Sequence, residues 1–242
     1  MGSYQKRGAI SLIDTSWNVM GKEGYEAIAQ AAEREPLSSL ILYRALKWSL
    51  VQPIYSIYFR GRVEGQENVP RKGAFIAVSN HASNFDPPIV AIGMNRPVAF
   101  MAKEELFRVP VLKNIIRTYG AYPVQRGKSD RSAIRAALNA LNNGWSVGIF
   151  IQGTRTKDGL VTKPKTGAAL IAAKAQVPLL PVSLIGTENI FEGKSAIPRS
   201  VPITLRIGET IVPPPKKPSK TDLTEVTQSC AERINALREL GR

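Results

Sequence analysis

The amino-acid sequence predicts an α/β protein in which a largely parallel, mixed sheet is flanked by helices. Three observations support this prediction. Five short apolar runs alternate with helical patterns from Gly73 onward, the order expected of a parallel sheet with crossover helices. Apolar residues make up 43% of the chain, which is a globular composition. The 242 residues suffice to bury the core of one large domain or two small ones.

Residues 1–36 are predicted to form an N-terminal extension. They contain no uninterrupted apolar stretch followed by a small-residue cleavage site, so no secretory signal is expected. The sequence therefore predicts a protein that faces the cytosol.

Residues 37–60 are predicted to form an amphipathic helical segment at a membrane interface. Arg44 and Lys47 interrupt its apolar run, and Pro53 would kink or break a helix, so a simple transmembrane span is not expected. Apolar residues recur at three- and four-residue steps, namely Leu40, Tyr43, Leu46, Leu50 and Ile54. A helix covering the core remains the alternative, but the density of aromatic residues, Trp48 among them, favours the interface.

Residues 61–242 are predicted to form the α/β domain. Its buried strands are expected at 74–79, 97–102, 147–152, 179–185 and 203–208. One helix is expected to stop at Gly144, and Thr166 is expected to cap the next. A proline-rich connector at 213–220 precedes a terminal amphipathic helix, where Cys230 is expected to pack in the core rather than act as a nucleophile.

The charge balance requires an anionic partner. Lys and Arg number 33 against 19 Asp and Glu, a net charge of +14 that suits nucleic acid, an anionic membrane or phosphorylated substrates. A single cysteine and a single histidine exclude an internal disulfide and leave too few ligands for a structural zinc site, so no metal is expected. The chain has neither a G-x-S-x-G elbow nor a phosphate loop, which argues against a serine hydrolase or a nucleoside triphosphatase.

The single histidine, His81, follows an apolar run in the segment Asn80–Pro88 and therefore lies at a strand end, where α/β sheets place their chemistry. Asp86 is five residues further on, and Asp86-Pro87 predicts a helix start that Asp86 caps. A turn between the two would let the carboxylate hold one imidazole nitrogen and leave the other free to accept a proton. The alternative is a cap beside an ordinary polar loop.

The segment NHASNFDPP resembles the first conserved block of the glycerolipid acyltransferases, in particular the 1-acylglycerol-3-phosphate acyltransferases. Three further blocks follow in the order typical of that family. They are 120–127 (GAYPVQRG), 150–156 (FIQGTRT) and 177–182 (VPLLPV), and MAKEEL at 101–106 adds a further match. The similarity covers roughly residues 40 to 210. It is a specific signal because four blocks match and occur in the order typical of the family.

The resemblance implies a role for each matching residue. His81 and Asp86 would form the catalytic dyad. The acceptor phosphate would be held by Lys103, Arg126, Gly153, Thr154 and Arg155. Pro181 of the fourth block would serve the acyl chain or the fold. Gln152 departs from the family, which has Glu there, and would serve acceptor binding or site architecture without a charge.

The predicted reaction is acyl transfer from a thioester to the sn-2 hydroxyl of lysophosphatidic acid, giving phosphatidic acid in phospholipid biosynthesis. Acyl-CoA and acyl carrier protein both remain open as donor, and no cofactor is expected. The other expected partner is an anionic membrane surface, at the cytoplasmic face of a bacterial inner membrane.

Three alternatives remain. Gln152 leaves open a related enzyme with another lysophospholipid acceptor, or a silent lipid-binding relative whose activity Gln152→Glu would restore. A nucleic-acid-binding module would rest only on the sequence pI of about 10.1, and no recognition motif supports it, so no nucleic acid is expected as a partner.

Overall fold

A computed structural model describes residues 41–103 (apart from 42 and 46), 122–124, 130–191 and 197–242. The N-terminal extension predicted for 1–36 lies outside these residues. The helices are α1 (Asp86–Met94), α2 (Asp130–Asn142), α3 (Gly167–Ala175) and α4 (Lys220–Glu239). The strands are β1 (Arg62–Glu64), β2 (Ile76–Ser79), β3 (Val98–Lys103), β4 (Tyr122–Val124), β5 (Ser146–Phe150), β6 (Leu179–Ile185) and β7 (Thr204–Ile207).

Within the described residues, these strands form one seven-stranded sheet in the order β1-β7-β6-β2-β5-β3-β4. Strands β2 to β6 pair in parallel, β7 runs antiparallel to β6, and β1 is parallel to β7. The prediction of a largely parallel, mixed α/β sheet is therefore confirmed. All five predicted strands are present with bounds shifted by up to two residues, whereas β1 and β4 were not predicted.

The core lies on both faces of the sheet because the central strands are apolar on both sides. Along β2 and the residue before it, Phe75 and Ala77 face one cluster while Ile76 and Val78 face the other. The first cluster includes α1 and the segment before residue 60, and the second includes α2, α3 and α4. Such two-sided burial explains why these strands appear in the sequence as continuous apolar runs.

Two of the predicted helix starts differ from the structure. Thr166 precedes α3 but has a helical backbone (φ −72°, ψ 0°) and makes no capping hydrogen bond, since a cap requires an extended backbone. Asp86 is the first residue of α1 rather than its cap, and Phe85 occupies the cap position. The helix expected before Gly144 does end there, and Gly144 has a left-handed φ of 79°.

Before residue 60 the chain forms two π-helical turns, Lys47–Val51 and Ile54–Tyr58, which pack against α1. Tyr43 donates its hydroxyl to the Ala91 carbonyl, and the buried Lys47 ammonium donates to Ile92 O (3.0 Å) and Asn95 Oδ1 (2.9 Å). Burial and the nearby Arg44 lower the pKa of Lys47. Among the residues described, no helix is sufficiently long and apolar to traverse a bilayer.

The two described members of the predicted apolar stripe do not share one environment, because Tyr43 is buried whereas Ile54 is 42% exposed. Lys47, expected on the polar side next to the stripe, is 4% exposed. Leu40, Leu46 and the side chain of Leu50 lie outside the described residues. The i→i+5 turns change the angular step per residue, so a period of 3.6 does not describe which side chains share a face. The domain boundary at residue 60 stays a prediction.

Candidate active site

The parallel pairing brings the predicted blocks to one edge of the sheet. His81 follows the carboxyl end of β2, and 152–155 follow the carboxyl end of the neighbouring β5. Lys103 is the last residue of β3, which pairs with β5 on its other side. A crevice outside the carboxyl ends of parallel strands is the usual ligand site of such sheets.

His81 and Asp86 are in direct contact. The imidazole Nδ1 lies 2.7 Å from Asp86 Oδ2, and the same oxygen accepts the backbone N–H groups of Ala82 (2.7 Å) and Ser83 (2.8 Å). Asp86 is fully buried, whereas the His81 side chain is 14% exposed. Because the carboxylate oxygen only accepts, Nδ1 carries the hydrogen and the Nε2 lone pair is free to take a proton.

The Asp86 carboxylate closes the loop that carries His81. Its second oxygen, Oδ1, is buried and has no hydrogen-bond partner among the described residues. In place of the expected cap on α1, the Asp86 carboxylate accepts two backbone N–H groups of the preceding turn. These bonds hold the carboxylate, and its contact with Nδ1 sets the position and tautomer of the imidazole.

The His81 ring stacks on Phe150, a contact that the sequence did not predict. The ring centroids lie 3.8 Å apart with an interplanar angle of 12°. Phe150 ends β5 directly opposite Ser79 of β2, so the sheet register places its ring beneath the imidazole. The signal available in the sequence was the position of Phe150 at the start of the third block.

Asn80, immediately before the histidine, was also missed. Its side chain is 1% exposed and joins three parts of the chain. Its amide donates to Gly159 O (2.9 Å) and Leu184 O (2.8 Å), and its carbonyl accepts Leu184 N–H (2.8 Å). Asn80 thereby ties the ends of β2 and β6 to residues 152–163, which we call the third-block loop.

Gln152 organises the third-block loop from within. Its Oε1 accepts the backbone N–H groups of Thr162 (2.8 Å) and Lys163 (2.7 Å), and its Nε2 donates to Leu160 O (3.0 Å). The side chain is 5% exposed. Of the two predicted roles, acceptor binding and site architecture, these contacts favour architecture.

Gly153, Thr154 and Arg155 are exposed at the start of this loop. Gly153 has a φ of 67° and uses its N–H within the turn, on Phe150 O. Arg155 donates to Asn84 Oδ1 (3.0 Å), which connects the third block with the first. The structure thus places Arg155 beside the loop that holds His81.

The remaining predicted residues differ in how far they can be placed. Arg126 and the side chain of Lys103 lie outside the described residues. Pro181 is buried within β6, in register with Val78, and its carbonyl accepts Gly208 N–H (2.9 Å), which favours the fold over the acyl chain as its role. No cluster of three or more His, Cys, Asp or Glu occurs within the described part of the chain.

Comparison with known proteins agrees with this geometry. A family model described as "Acyltransferase" matches residues 60–185, which span from before β1 to the end of β6. This chain belongs to the acyltransferase family. The resemblance noted in the sequence is thereby confirmed.

Acyltransferases with the same printed name are similar to this chain. A 1-acyl-sn-glycerol-3-phosphate acyltransferase of Borreliella burgdorferi is 36% identical over 132 residues, which cover 53% of this chain and 52% of that protein. Its counterpart from Bacillus subtilis is 30% identical over 179 residues, covering 73% of this chain and 87% of that one. Several matches, the Borreliella protein among them, are covered over only about half of their length or less.

A solved acyltransferase structure has a similar fold. The crystal structure of the 1-acyl-sn-glycerophosphate (LPA) acyltransferase PlsC from Thermotoga maritima matches with a TM-score of 0.68 at 26% sequence identity. The match covers 90% of this chain and 89% of that one.

Proposed function

We propose that this protein transfers a fatty acyl group from an acyl thioester to the sn-2 hydroxyl of lysophosphatidic acid, giving phosphatidic acid. The observation that carries the proposal is the His81–Asp86 pair, with the free imidazole nitrogen at the carboxyl edge of the sheet and Arg155 on the adjoining loop. The printed names of the relatives support the same substrate.

In this mechanism, His81 Nε2 takes the proton of the acceptor hydroxyl while the alkoxide oxygen attacks the thioester carbonyl. Asp86 stabilises the imidazolium that forms. When the tetrahedral intermediate collapses, the C–S bond breaks and the imidazolium returns its proton to the departing thiolate. The acyl group moves to the acceptor oxygen and the hydroxyl proton ends on the released thiol, so the reaction balances without a cofactor.

The acceptor phosphate is assigned to Arg155 together with Lys103 and Arg126. A guanidinium presents paired N–H donors that match phosphate oxygens, and an ammonium adds a point charge. The backbone N–H groups of Thr154 and Arg155, which donate to no described residue, are the candidates for stabilising the tetrahedral oxyanion.

The segment before residue 60 is proposed to dock the enzyme on an anionic membrane, at the cytoplasmic face of a bacterial inner membrane. Ile41, Trp48 and Ile57 are 63%, 64% and 79% exposed, and the exposed Arg44 and Arg60 accompany them. Exposed apolar side chains beside cations suit a lipid headgroup region.

The test of the reaction is transfer of a labelled acyl group to lysophosphatidic acid in mixed micelles, with acyl-CoA and acyl carrier protein supplied in parallel. We expect phosphatidic acid from the unmodified chain and none above background from His81→Ala. Product formed equally by the variant would overturn the assigned base. No product with either donor would overturn the proposed reaction, and the faster of two productive donors identifies the acyl source.

Vesicle sedimentation tests the membrane surface. The unmodified protein is expected to bind phosphatidylglycerol vesicles more tightly than phosphatidylcholine vesicles. The difference between the two affinities should shrink as the salt concentration rises. The double variant Trp48→Ser, Ile57→Ser should lose this binding, whereas Val212→Ser, at an exposed apolar residue before α4, should keep it. Equal binding by the double variant would exclude this docking surface.

A further inference from the structure

We infer that the C-terminal helix α4 positions the third-block loop through Asn235 and Arg238, and that this anchoring sets the affinity of the acceptor-phosphate site at Arg155. The inference rests on the proposed function for the identity of the acceptor. Helix α4 (Lys220–Glu239) lies outside the stretch that the family model matches, residues 60–185.

Asn235 pairs with one residue of the loop in both directions. Its side-chain oxygen accepts Val161 N–H at 3.0 Å, and its side-chain nitrogen donates to Val161 O at 2.9 Å. Both polar groups of one peptide residue are thereby satisfied by one amide side chain, as a neighbouring strand would satisfy them. The second half of the loop is consequently fixed to α4.

Arg238 joins the middle of the loop to the end of β6. Its guanidinium donates to Asp158 O (2.7 Å) and Leu184 O (2.8 Å), and it pairs with the Glu188 carboxylate. The side chains of Arg238 and Glu188 are both only 14% exposed. A planar guanidinium with several fixed donors is suited to hold backbone groups from two elements at once.

The loop backbone passes directly against this guanidinium. Gly159 has a φ of 69°, and a Cβ built there would lie 2.9 Å from an Arg238 terminal nitrogen. A side chain at this φ would be strained, and its Cβ would force the guanidinium to shift. Glycine at this position therefore leaves room for Arg238 to hold the neighbouring backbone.

The same contacts reach the catalytic histidine. Leu184 O accepts hydrogen bonds from both Arg238 and Asn80, the residue before His81. At the other end of the loop, Thr156 donates its N–H to His81 O at 2.8 Å. Arg155 precedes Thr156, so in a loop released from α4 the position of Arg155 would rest on the Thr156 bond to His81 O and the Asn80 bond to Gly159 O. With the second part of the loop released, we expect the guanidinium of Arg155 to be held less firmly beside the first block.

The expected consequence falls on acceptor binding rather than on proton transfer. Asp86 holds His81 independently of α4, whereas Arg155 is exposed and depends on the loop backbone for its position. A displacement of about 1 Å in a positioning group lowers efficiency by up to about 100-fold. For partial release we expect the KM for lysophosphatidic acid to rise about tenfold, with the KM for the acyl donor and kcat within about twofold.

The experiment compares the unmodified chain with Arg238→Gln, Asn235→Ala and the control Arg233→Ala. Arg233 is an exposed arginine of the same helix that donates to Glu209 O and makes no described hydrogen bond to the third-block loop. Three kinds of measurement are made, each at a temperature well below the thermal unfolding midpoint of every variant. They are the amide exchange of peptides within 153–163, the affinity for lysophosphatidic acid, and the two KM values. Asn235→Ala keeps the test usable if Arg238→Gln does not fold.

Faster exchange of the loop amides together with weaker acceptor binding, in both anchor variants and not in the control, is the expected result. Unchanged exchange in both would overturn the anchoring. Faster exchange with unchanged acceptor affinity, or an equal rise of both KM values, would leave α4 a purely structural element and overturn the link to Arg155.

Failure of the proposed function has a different signature. If the unmodified chain binds lysophosphatidic acid but forms no product, the reaction is excluded while exchange and affinity still decide the inference. If the unmodified chain binds no lysophosphatidic acid at all, both the proposed function and the link between α4 and acceptor affinity are excluded. The amide exchange of the third-block loop then decides whether α4 anchors that loop.

Discussion

The substitution Asp86→Asn separates the two roles that the sequence left open for this residue, turn closure and catalysis. An asparagine oxygen can occupy the position of Oδ2 and accept the same three donors, His81 Nδ1 (2.7 Å), Ala82 N–H (2.7 Å) and Ser83 N–H (2.8 Å). The amide nitrogen would then replace Oδ1, which has no partner among the described residues. The shape of the turn is preserved and only its charge is lost.

The two roles predict different magnitudes. Each charge-assisted hydrogen bond is stronger than a neutral one by about 1 kcal/mol, so the variant should lose about 1–3 kcal/mol of unfolding free energy and still fold. The imidazolium formed during proton transfer loses its counter-charge, and removing general-base assistance of this kind lowers rates by about 100- to 10,000-fold. We therefore expect a fall in kcat far larger than the change in stability suggests.

Urea unfolding and the rate of phosphatidic acid formation measure the two effects separately. Asp222→Asn is the matched control, because Asp222 also accepts a backbone N–H, from Ser219 at 2.7 Å, but does so at the start of α4. The control should keep its kcat. Loss of stability in Asp86→Asn with kcat within about threefold of the unmodified chain would show that Asp86 only closes the turn.

Three further predictions follow from the described contacts. Phe150→Leu removes the ring stacked on His81, a contact worth about 1 kcal/mol, and should lower kcat/KM about fivefold. The control is Phe100→Leu, which removes another ring stacked on Phe150 and should lower the thermal midpoint without lowering kcat/KM. Equal kinetic effects of the two substitutions would contradict the role of the His81 stack. Gln152→Glu turns a carboxylate oxygen toward a backbone carbonyl and should cost about 1–3 kcal/mol in urea unfolding, and a gain in acyl transfer would refute this and favour acceptor binding. Burial raises the pKa of the Cys230 thiol from 9.0 to about 12, so the contribution of the buried thiol to stability is complete below about pH 9 and is lost as the pH rises toward 12. The unfolding free energy of the unmodified chain should therefore fall more steeply above about pH 9 than that of Cys230→Ala. Parallel curves for the two proteins would contradict this prediction.

Much of the fold could be predicted from local pattern. Strands that are buried on both faces are continuous apolar runs in the sequence, and the five longest were found for this reason. The short edge strands β1 and β4, of three residues each, carry too few apolar residues to be recognised this way. In the segment before residue 60, Tyr43 and Ile54 were predicted to share a face but do not, because the turns between them are π-helical.

The candidate site was predicted in part. The position of His81 after an apolar run and the Asp-Pro step after it predicted a histidine and a carboxylate at one strand end, and the structure joins them. The sequence also indicated Gln152 as an unusual residue but could not choose between its two roles. That choice depends on the N–H groups of Thr162 and Lys163, which the loop folds back onto the side chain.

The sequence by itself determined the α/β class, the order of the blocks and the chemistry available at the catalytic edge, because these follow from residue type and short-range period. Only the tertiary structure decided that Phe150 lies beneath the imidazole and that Arg238 supports a loop 80 residues earlier in the chain. These contacts depend on strand register and on the path of the crossovers. Both are set by packing between elements distant in sequence, which no local pattern records.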